Sequence, residues 1–333
     1  MSGAAGAPRA RHRPAPVAGA AVTLSAFALL ASALALLSAP GLSGCATRKP
    51  PALVPGPARP CTVATTIGAD KPVKDRVFPP QYWFALLLQG YQMSGELARP
   101  ARSCSGGPVT LDSDECPGEP TSTRVAPSSQ VSARDVTVVN LGDARRLVWA
   151  VTDHLSDGQA EGPVAIAEIE AQGIAVRASG VLRAYPENAS LRLAKLGTGT
   201  VLVAEGEVCA KPGSCQRATR VVPLIGDRFV AKSLIDDKGL CLGPAFFPLR
   251  QEGVSRGRKH AKYEIQVSIT YGPENIAIRE QLALTGVEPA SDPGASSFVT
   301  RVQAERQLTL RDGNLVATAP SVLARWLAQQ QQL

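Results

Sequence analysis

Residues 262–271, Lys-Tyr-Glu-Ile-Gln-Val-Ser-Ile-Thr-Tyr, have the clearest structural pattern in the sequence. Polar residues there alternate strictly with five apolar ones, Tyr263, Ile265, Val267, Ile269 and Tyr271. A period of two residues is typical of a β-strand that buries one face and exposes the other. The stretch therefore predicts a strand of an antiparallel sheet.

The sequence beyond this strand repeats the pattern. It contains two more apolar faces, one formed by Ile276, Ile278, Leu282 and Leu284, the other by Phe298, Val302, Ala304, Leu308 and Leu310. The dipeptide Asp312-Gly313 then predicts a hairpin turn before Leu315, because both residue types accept the backbone angles of a tight turn. Residues 246–333 are therefore predicted to form an antiparallel β meander.

A short helix is predicted to close the chain. Ser321 follows Pro320 and can accept a hydrogen bond from the first helical turn. The apolar residues after it fall on one side of a helix, at Val322, Leu323, Trp326 and Leu327.

The region before the meander also predicts strands. Between residues 136 and 230, short β-rich runs recur about every ten residues, with turn-forming residues between them. Residues 76–245 are therefore expected to form a β-rich domain, in which residues 82–97 are a strand and residues 99–134 a long loop. The predicted fold class is mainly β, with antiparallel sheets arranged as a sandwich or as a curled sheet and a short C-terminal helix.

The amino-terminal residues have the order of an export signal. Arginines within the first 16 positions precede an apolar stretch over residues 17–39, and no acidic residue occurs before Asp70. This arrangement is typical of a signal peptide. An uncleaved transmembrane helix is the alternative, since about 20 apolar residues suffice to cross a bilayer.

The residues at the end of the apolar stretch favour a signal peptide. Leu42-Ser43-Gly44-Cys45 resembles the lipobox of bacterial lipoproteins. The resemblance implies that residues 1–44 are removed and that Cys45 carries the lipid that attaches the protein to its membrane. More than one acyl chain makes such an anchor stable. Ala46, where an aspartate would retain the protein at the inner membrane, implies an outer-membrane location facing the periplasm.

A proline-rich tether is predicted to separate the anchor from the folded body. Residues 45–75 lack a sustained apolar period and contain Pro50, Pro51, Pro55, Pro57 and Pro60. Such segments extend by about 3.1 Å per residue, so the tether can hold the body well away from the lipid.

The cysteines after Cys45 predict disulfides. There are six of them, an even number, which in an oxidising compartment indicates pairing. Short loops favour two pairs and elimination leaves a third: Cys104 with Cys116, Cys209 with Cys215, and Cys61 with Cys241.

The charge balance argues against nucleic acid as a partner. The leader holds three of the 35 basic residues and none of the 28 acidic ones, so the mature chain carries 32 − 28 = +4. This excess is small and lacks the interleaved aromatic residues of a nucleic-acid surface. No cofactor is expected either.

No catalytic residue is assigned from the sequence. Residues 253–257 match the G-x-S-x-G nucleophile elbow around Ser255, but the surrounding sequence lacks the required strand before the serine and helix after it. His154 and His260 are the only histidines beyond the leader, so one mature chain cannot supply a three-histidine zinc site.

Two acidic clusters contain residue types that metal or acid–base sites use. Asp153, His154 and Asp157 precede Gly158, and this composition favours a surface turn. Residues Asp112, Asp114 and Glu115 lack the spacing of a calcium loop and favour a solvated acidic loop. No metal site is therefore expected.

One dense basic cluster has a charge suited to recognition. It consists of Arg250, Arg256, Arg258, Lys259, His260 and Lys262. An ordinary solvated loop is the favoured interpretation. The alternative is a recognition surface for an anionic envelope glycolipid or an acidic protein partner, because basic patches attract anionic surfaces.

Together these features favour a membrane-anchored envelope lipoprotein with a non-catalytic role in binding, assembly or envelope maintenance. Two alternatives stay open. One is a lipid or glycolipid carrier with an apolar cavity beneath the last helix, and the other is a hydrolase that uses Ser255 or residues 153–157. A large cavity would favour the carrier, whereas a filled core with an exposed patch would favour the binding role.

Overall fold

The computed structural model describes residues 61–111, 116, 122–125, 128–211, 214–255, 261–286 and 299–332. These residues belong to one compact unit, Val54–Leu333. The leader, Cys45 and residues 46–60 lie outside the described residues. Across the ranges given above, the structure contains no helix with the length and apolarity needed to span a membrane.

The described chain forms twenty strands and two α-helices. The strands are β1 Thr62–Ala64, β2 Leu88–Tyr91, β3 Leu97–Ser103, β4 Val136–Gly142, β5 Arg145–Ala150, β6 Asp153–His154, β7 Ala160–Ile169, β8 Gly173–Ala184, β9 Glu187–Leu196, β10 Gly199–Lys211, β11 Ser214–Ile225, β12 Arg228–Phe229, β13 Ser233–Ile235, β14 Cys241–Pro244, β15 Phe246–Pro248, β16 Arg250–Ser255, β17 Ala261–Tyr271, β18 Ile276–Gly286, β19 Val299–Arg311 and β20 Asn314–Ala317. The helices are α1 Pro80–Leu87 and α2 Val322–Gln332. The prediction of a mainly β protein with a short C-terminal helix is confirmed.

The first sheet is strongly curled. Its main path runs β4-β5-β7-β8-β12-β11-β10-β9, and the two end strands, β4 and β9, lie against each other. Every strand of this path places apolar side chains in one shared interior, where the largest include Trp149, Leu182, Leu202 and Phe229. The interior is therefore a packed core.

Alternate residues of the same strands face outward and form two further cores. On β5, Val148 and Ala150 pack against α1 and the β2–β3 hairpin. On β10, Val201 and Val203 pack against the second sheet. The alternation expected of strands thus buries both faces of the curled sheet.

The second sheet is the predicted meander. Its order is β14-β13-β20-β19-β18-β17-β16, and consecutive strands from β16 to β20 pair antiparallel. Asp312 and Gly313 form the β19–β20 turn, both with positive φ, as the sequence predicts. Helix α2 packs on this sheet, with Val322 and Leu323 against Ile265, Leu282 and Leu284.

The predicted strand over residues 82–97 is wrong. Its first half is helix α1, which begins with Pro80 at its first turn and buries Trp83, Phe84, Leu86 and Leu87. A proline suits that position because its missing N–H has no partner in a helix start and its φ is already helical. Gly90 and Gly95, residue types that weaken a helix, lie beyond its end, where both have positive φ.

The residues on both sides of Gly180 form one continuous strand, β8. The glycine marks a close approach of two backbones, since a Cβ atom there would lie 2.2 Å from the carbonyl oxygen of Phe229. Ser179 and Gly180 pair in parallel with β12 at this point. A glycine within a strand here indicates close packing instead of a turn.

The folded body begins earlier than the predicted end of the tether at residue 75. Strand β1 pairs with β8, and Arg76 is buried, donating to the carbonyl oxygens of Glu170 and Ala171. A buried guanidinium bound to backbone oxygens fixes residues 61–76 on the body.

The disulfides correct the predicted pairing. Cys209 pairs with Cys215, as predicted, but the other two bonds are Cys61–Cys104 and Cys116–Cys241. The pairing by shortest loop is wrong because the arrangement of the strands determines which cysteines lie close together. Cys104, just after β3, lies beside Cys61, just before β1, whereas Cys116 bonds to the first residue of β14. Cys116–Cys241 thereby ties the segment after β3 to the second sheet.

Candidate functional site

The predicted elbow serine lies at the end of an edge strand. Ser255 is the last residue of β16 and pairs with Ala261, the first residue of β17. A nucleophile elbow needs a strand-to-helix turn, and here the next described element is the neighbouring antiparallel strand. Residues 256–260, which include His260, lie outside the described residues.

The Asp153–Asp157 region forms the predicted turn, between β6 and β7. Asp157 accepts hydrogen bonds from the Ser122 hydroxyl and from the backbone and side chain of Gln159. His154 is exposed. Asp153 is buried, contrary to a fully exposed turn, and its carboxylate accepts from Arg99 Nη1 at 3.1 Å.

A buried ionic cluster extends from this turn. At its centre is Glu161 on β7, whose side chain has 0% exposure. Its Oε1 accepts from Arg183 Nε at 2.7 Å and lies 2.6 Å from Arg183 Nη2, and its Oε2 accepts from Arg124 Nη2 at 3.0 Å. Arg183 lies directly opposite Glu161 on β8, so the strand register creates the central pair.

The cluster attaches residues 122–125 and 128–130 to the curled sheet. Arg124 donates a hydrogen bond to Glu161. Arg99 donates to the carbonyl oxygens of Ser128 and Thr152. Backbone hydrogen bonds join the same residues to the turn, including Val125 N–H to the His154 oxygen at 2.9 Å. Because each oxygen of Glu161 is already occupied by an arginine, the cluster is suited to holding structure and offers no free base.

The electrostatics of the turn follow from these contacts. Burial works to raise the pKa of Asp157, but hydrogen bonds from Ser122 and Gln159, with the charge of Arg183, outweigh it and lower the pKa below its usual value. Burial, with the nearby charge of Asp157, raises the pKa of Tyr185. A carboxylate held in its charged form is a poor proton donor near neutral pH.

A second buried ion pair links α2 to the meander. Glu280 on β18 receives Arg306 Nη2 at 2.9 Å and the backbone N–H of Val322 at 2.6 Å. Burial lowers the pKa of Arg306, against the opposing effect of Glu280. The Ser321 hydroxyl accepts from Ala324 N–H at 3.0 Å, which confirms the predicted cap.

A third polar group lies where the two sheets meet. The guanidinium of Arg192 stacks 3.8 Å from the ring centre of Tyr271, whose hydroxyl donates to Glu205 at 3.2 Å. Burial, reinforced by the charge of Glu205, raises the pKa of Tyr271 to about 12. The phenol therefore stays protonated near neutral pH and acts as a hydrogen-bond donor between the sheets.

The predicted basic cluster is described only in part. Arg250 pairs with Glu252 at 2.7 Å and with Glu264 at 3.1 Å, which offsets its charge. Lys262 is exposed at the start of β17. The other members, Arg256, Arg258, Lys259 and His260, lie outside the described residues, as do Asp112, Asp114 and Glu115.

One group of possible metal ligands occurs in the described ranges. A carboxylate oxygen of Glu207 and the sulfur atoms of Cys209 and Cys215 lie within 4.8 Å of one another. The two sulfurs form a disulfide, and a metal needs thiolates. In its oxidised form the group is therefore not a metal site.

The sequence of β7 contains one signal for the buried ionic residues. Strand β7 reads Ala-Glu-Gly-Pro-Val-Ala-Ile-Ala-Glu-Ile, in which Glu161 stands in a largely apolar run that the structure buries on both faces. A charge in such a run requires a buried partner. The partner itself, Arg183, becomes identifiable only once the β7–β8 register is known.

Comparison with known proteins adds no family to these observations. No family model matches the chain, and neither curated proteins nor solved structures give a significant match.

Proposed function

We propose that the chain is a lipid-anchored lipoprotein of the bacterial cell envelope, held at the outer membrane by acylated Cys45, with a β body that serves non-catalytic binding or assembly in the periplasm. The main observation in support of this proposal is that the cysteines after Cys45 are all paired in disulfides. The chain has seven, and three disulfides account for the six that follow Cys45.

Complete pairing supports export from the cytoplasm. Disulfides persist in oxidising compartments such as the periplasm and are rare where thiols are kept reduced. The remaining cysteine is the one in the lipobox, where a free thiol is needed for lipid attachment. Leader, lipobox and disulfides therefore support the same location.

The packing of the body supports a binding or assembly role over a carrier. Apolar side chains fill the interior of the curled sheet. The space beneath α2, where a carrier would hold lipid, contains Ile265, Leu282, Leu284, Val322 and Leu323 packed together.

The contacts of the candidate catalytic groups give less support to a hydrolase. Among the described residues, Asp153 and Glu161 are each paired with arginine, and Ser255 ends an edge strand, β16, that pairs with β17. Those pairs stabilise the body and leave its surface for recognition. A protein partner or the anionic headgroups of an envelope glycolipid are the proposed ligands, the latter through the basic residues around Lys262.

Cell fractionation tests the anchor. Wild-type protein and the Cys45→Ala variant are expressed with the native leader and separated into soluble and membrane fractions, with a detergent phase partition to detect the lipid. We expect the wild type in the membrane fraction and detergent phase, and loss of lipid modification in the variant. A wild type that remains in the aqueous phase would contradict the proposal.

A further inference from the structure

We propose that the Cys209–Cys215 disulfide is reversible, and that its reduced dithiol binds one zinc ion together with the carboxylate of Glu207. This inference goes beyond the proposed function and does not depend on the lipid anchor. It rests on the position of the disulfide in the fold, its exposure and the residues beside it.

The Cys209–Cys215 disulfide joins two strands that are already paired by their backbones. Strands β10 and β11 are already paired from Thr200 with Leu224 to Cys209 with Cys215. The bond closes a sequence separation of only 6 residues, compared with 43 and 125 for the other two disulfides. Short loops lose little conformational entropy on closure, so this bond constrains the unfolded chain least. Opening it leaves the strand pairing in place.

The bond is accessible to an attacking thiolate. Cys215 is exposed and Cys209 is half-buried, near the end of the β10–β11 hairpin. An exposed sulfur near the end of a hairpin can be approached from solvent by a small dithiol.

Reduction would create a ligand set. Glu207 shares a face of β10 with Cys209, and its carboxylate oxygen lies within 4.8 Å of both sulfurs. Two thiolates and a carboxylate are ligands that zinc accepts, and three protein ligands with a water complete a tetrahedral site. Asn188 already donates a hydrogen bond to the Glu207 carboxylate, which is the kind of outer contact that orients a metal ligand.

The chemical step is a thiol–disulfide exchange. A dithiol reductant attacks one sulfur, the Cys209–Cys215 bond breaks, and the reductant leaves as its own disulfide while the protein gains two thiols. Zinc then binds both sulfurs and releases their two protons. Bound zinc holds the pair in the reduced state by mass action.

Zinc titration of the full-length protein in detergent tests the inference. The protein is reduced just enough to open one disulfide, peptide mapping after alkylation of a parallel sample identifies that disulfide, and zinc chloride is titrated against a chromogenic chelator. We expect Cys209–Cys215 to open first and the reduced protein to bind one zinc equivalent that the oxidised protein does not bind. We expect Glu207→Gln to weaken binding at least tenfold, and the control Glu274→Gln, an exposed carboxylate in another turn, to leave it unchanged.

Three results would overturn the inference: earlier opening of another disulfide, equal zinc binding by oxidised and reduced protein, or no effect of Glu207→Gln. A second variant tests the ligand set without reduction, in case reduction unfolds the protein. Cys209→His with Cys215→His replaces both sulfurs by redox-stable zinc ligands, and we expect it to bind zinc without reductant through Glu207. Failure of this folded variant to bind zinc would refute the ligand geometry.

Discussion

The Glu161→Gln substitution is expected to destabilise the protein strongly. Glu161 is fully buried and its main partner, Arg183, is 6% exposed, so removal of the carboxylate charge takes away the closest buried counter-ion of an interior guanidinium. Breaking one side of a buried ion pair costs about 3–5 kcal/mol. The glutamine keeps the volume of glutamate but presents an NH₂ group or a neutral oxygen to two arginines. The loss therefore reports charge pairing and not a cavity.

Urea denaturation with intact disulfides measures this loss, and Glu168→Gln is its matched control. Glu168 lies on the same strand, β7, and its pair with Arg177 is exposed, with side chains 39% and 49% accessible. Exposed pairs contribute at most about 1 kcal/mol, so the control is expected to unfold near the wild-type midpoint. If Glu161→Gln also unfolds within about 1 kcal/mol of wild type at an unchanged slope, the buried cluster does not stabilise the fold as described.

Three further predictions concern stability. The pKa of Asp157 is lowered in the folded state, so its charged form stabilises the fold at pH values above its ordinary pKa near 4. This stabilisation is lost as the pH falls through the lower folded pKa. Urea midpoints should therefore show that the stability advantage of wild type over Asp157→Asn shrinks below about pH 4. Ser321→Ala removes the cap of α2 and should cost about 1 kcal/mol in the same assay, with no loss expected if the hydroxyl is not a cap. Replacing both Cys61 and Cys104 by serine should cost about 4 kcal/mol, compared with about 2 kcal/mol for the hairpin disulfide, because the loop is longer; equal losses in thermal unfolding would contradict that ranking.

Much of the strand pattern is predictable because alternation is local. The run from Tyr263 to Tyr271 shows its period without reference to any partner, and the Asp312-Gly313 turn follows from the angles those residues accept. The helix after Ser321 is likewise signalled by its cap and its apolar side.

The features that the sequence does not predict correctly depend on contacts between residues that are far apart in the chain. The sequence predicts a strand over α1 because of alternation and because Gly90 and Gly95 disfavour a helix. The apolar run is instead a helix that is buried on several sides, against β1, β4, β5 and β7. The pairing of Cys61 with Cys104 depends on the position of β1 on β8, which loop length does not encode. Glu161 and Arg183 meet through the register of two strands, and that register is set by the whole sheet.

The intact mass of protein extracted from membranes is the sharpest test of the proposed lipid anchor. We expect a wild-type chain that begins at Cys45, contains three disulfides and carries the added mass of acyl chains, together with a Cys45→Ala chain without that mass. A wild-type chain that retains residues 1–44 and has no added mass would contradict the proposal, since the leader would then be an uncleaved segment and Cys45 an ordinary thiol.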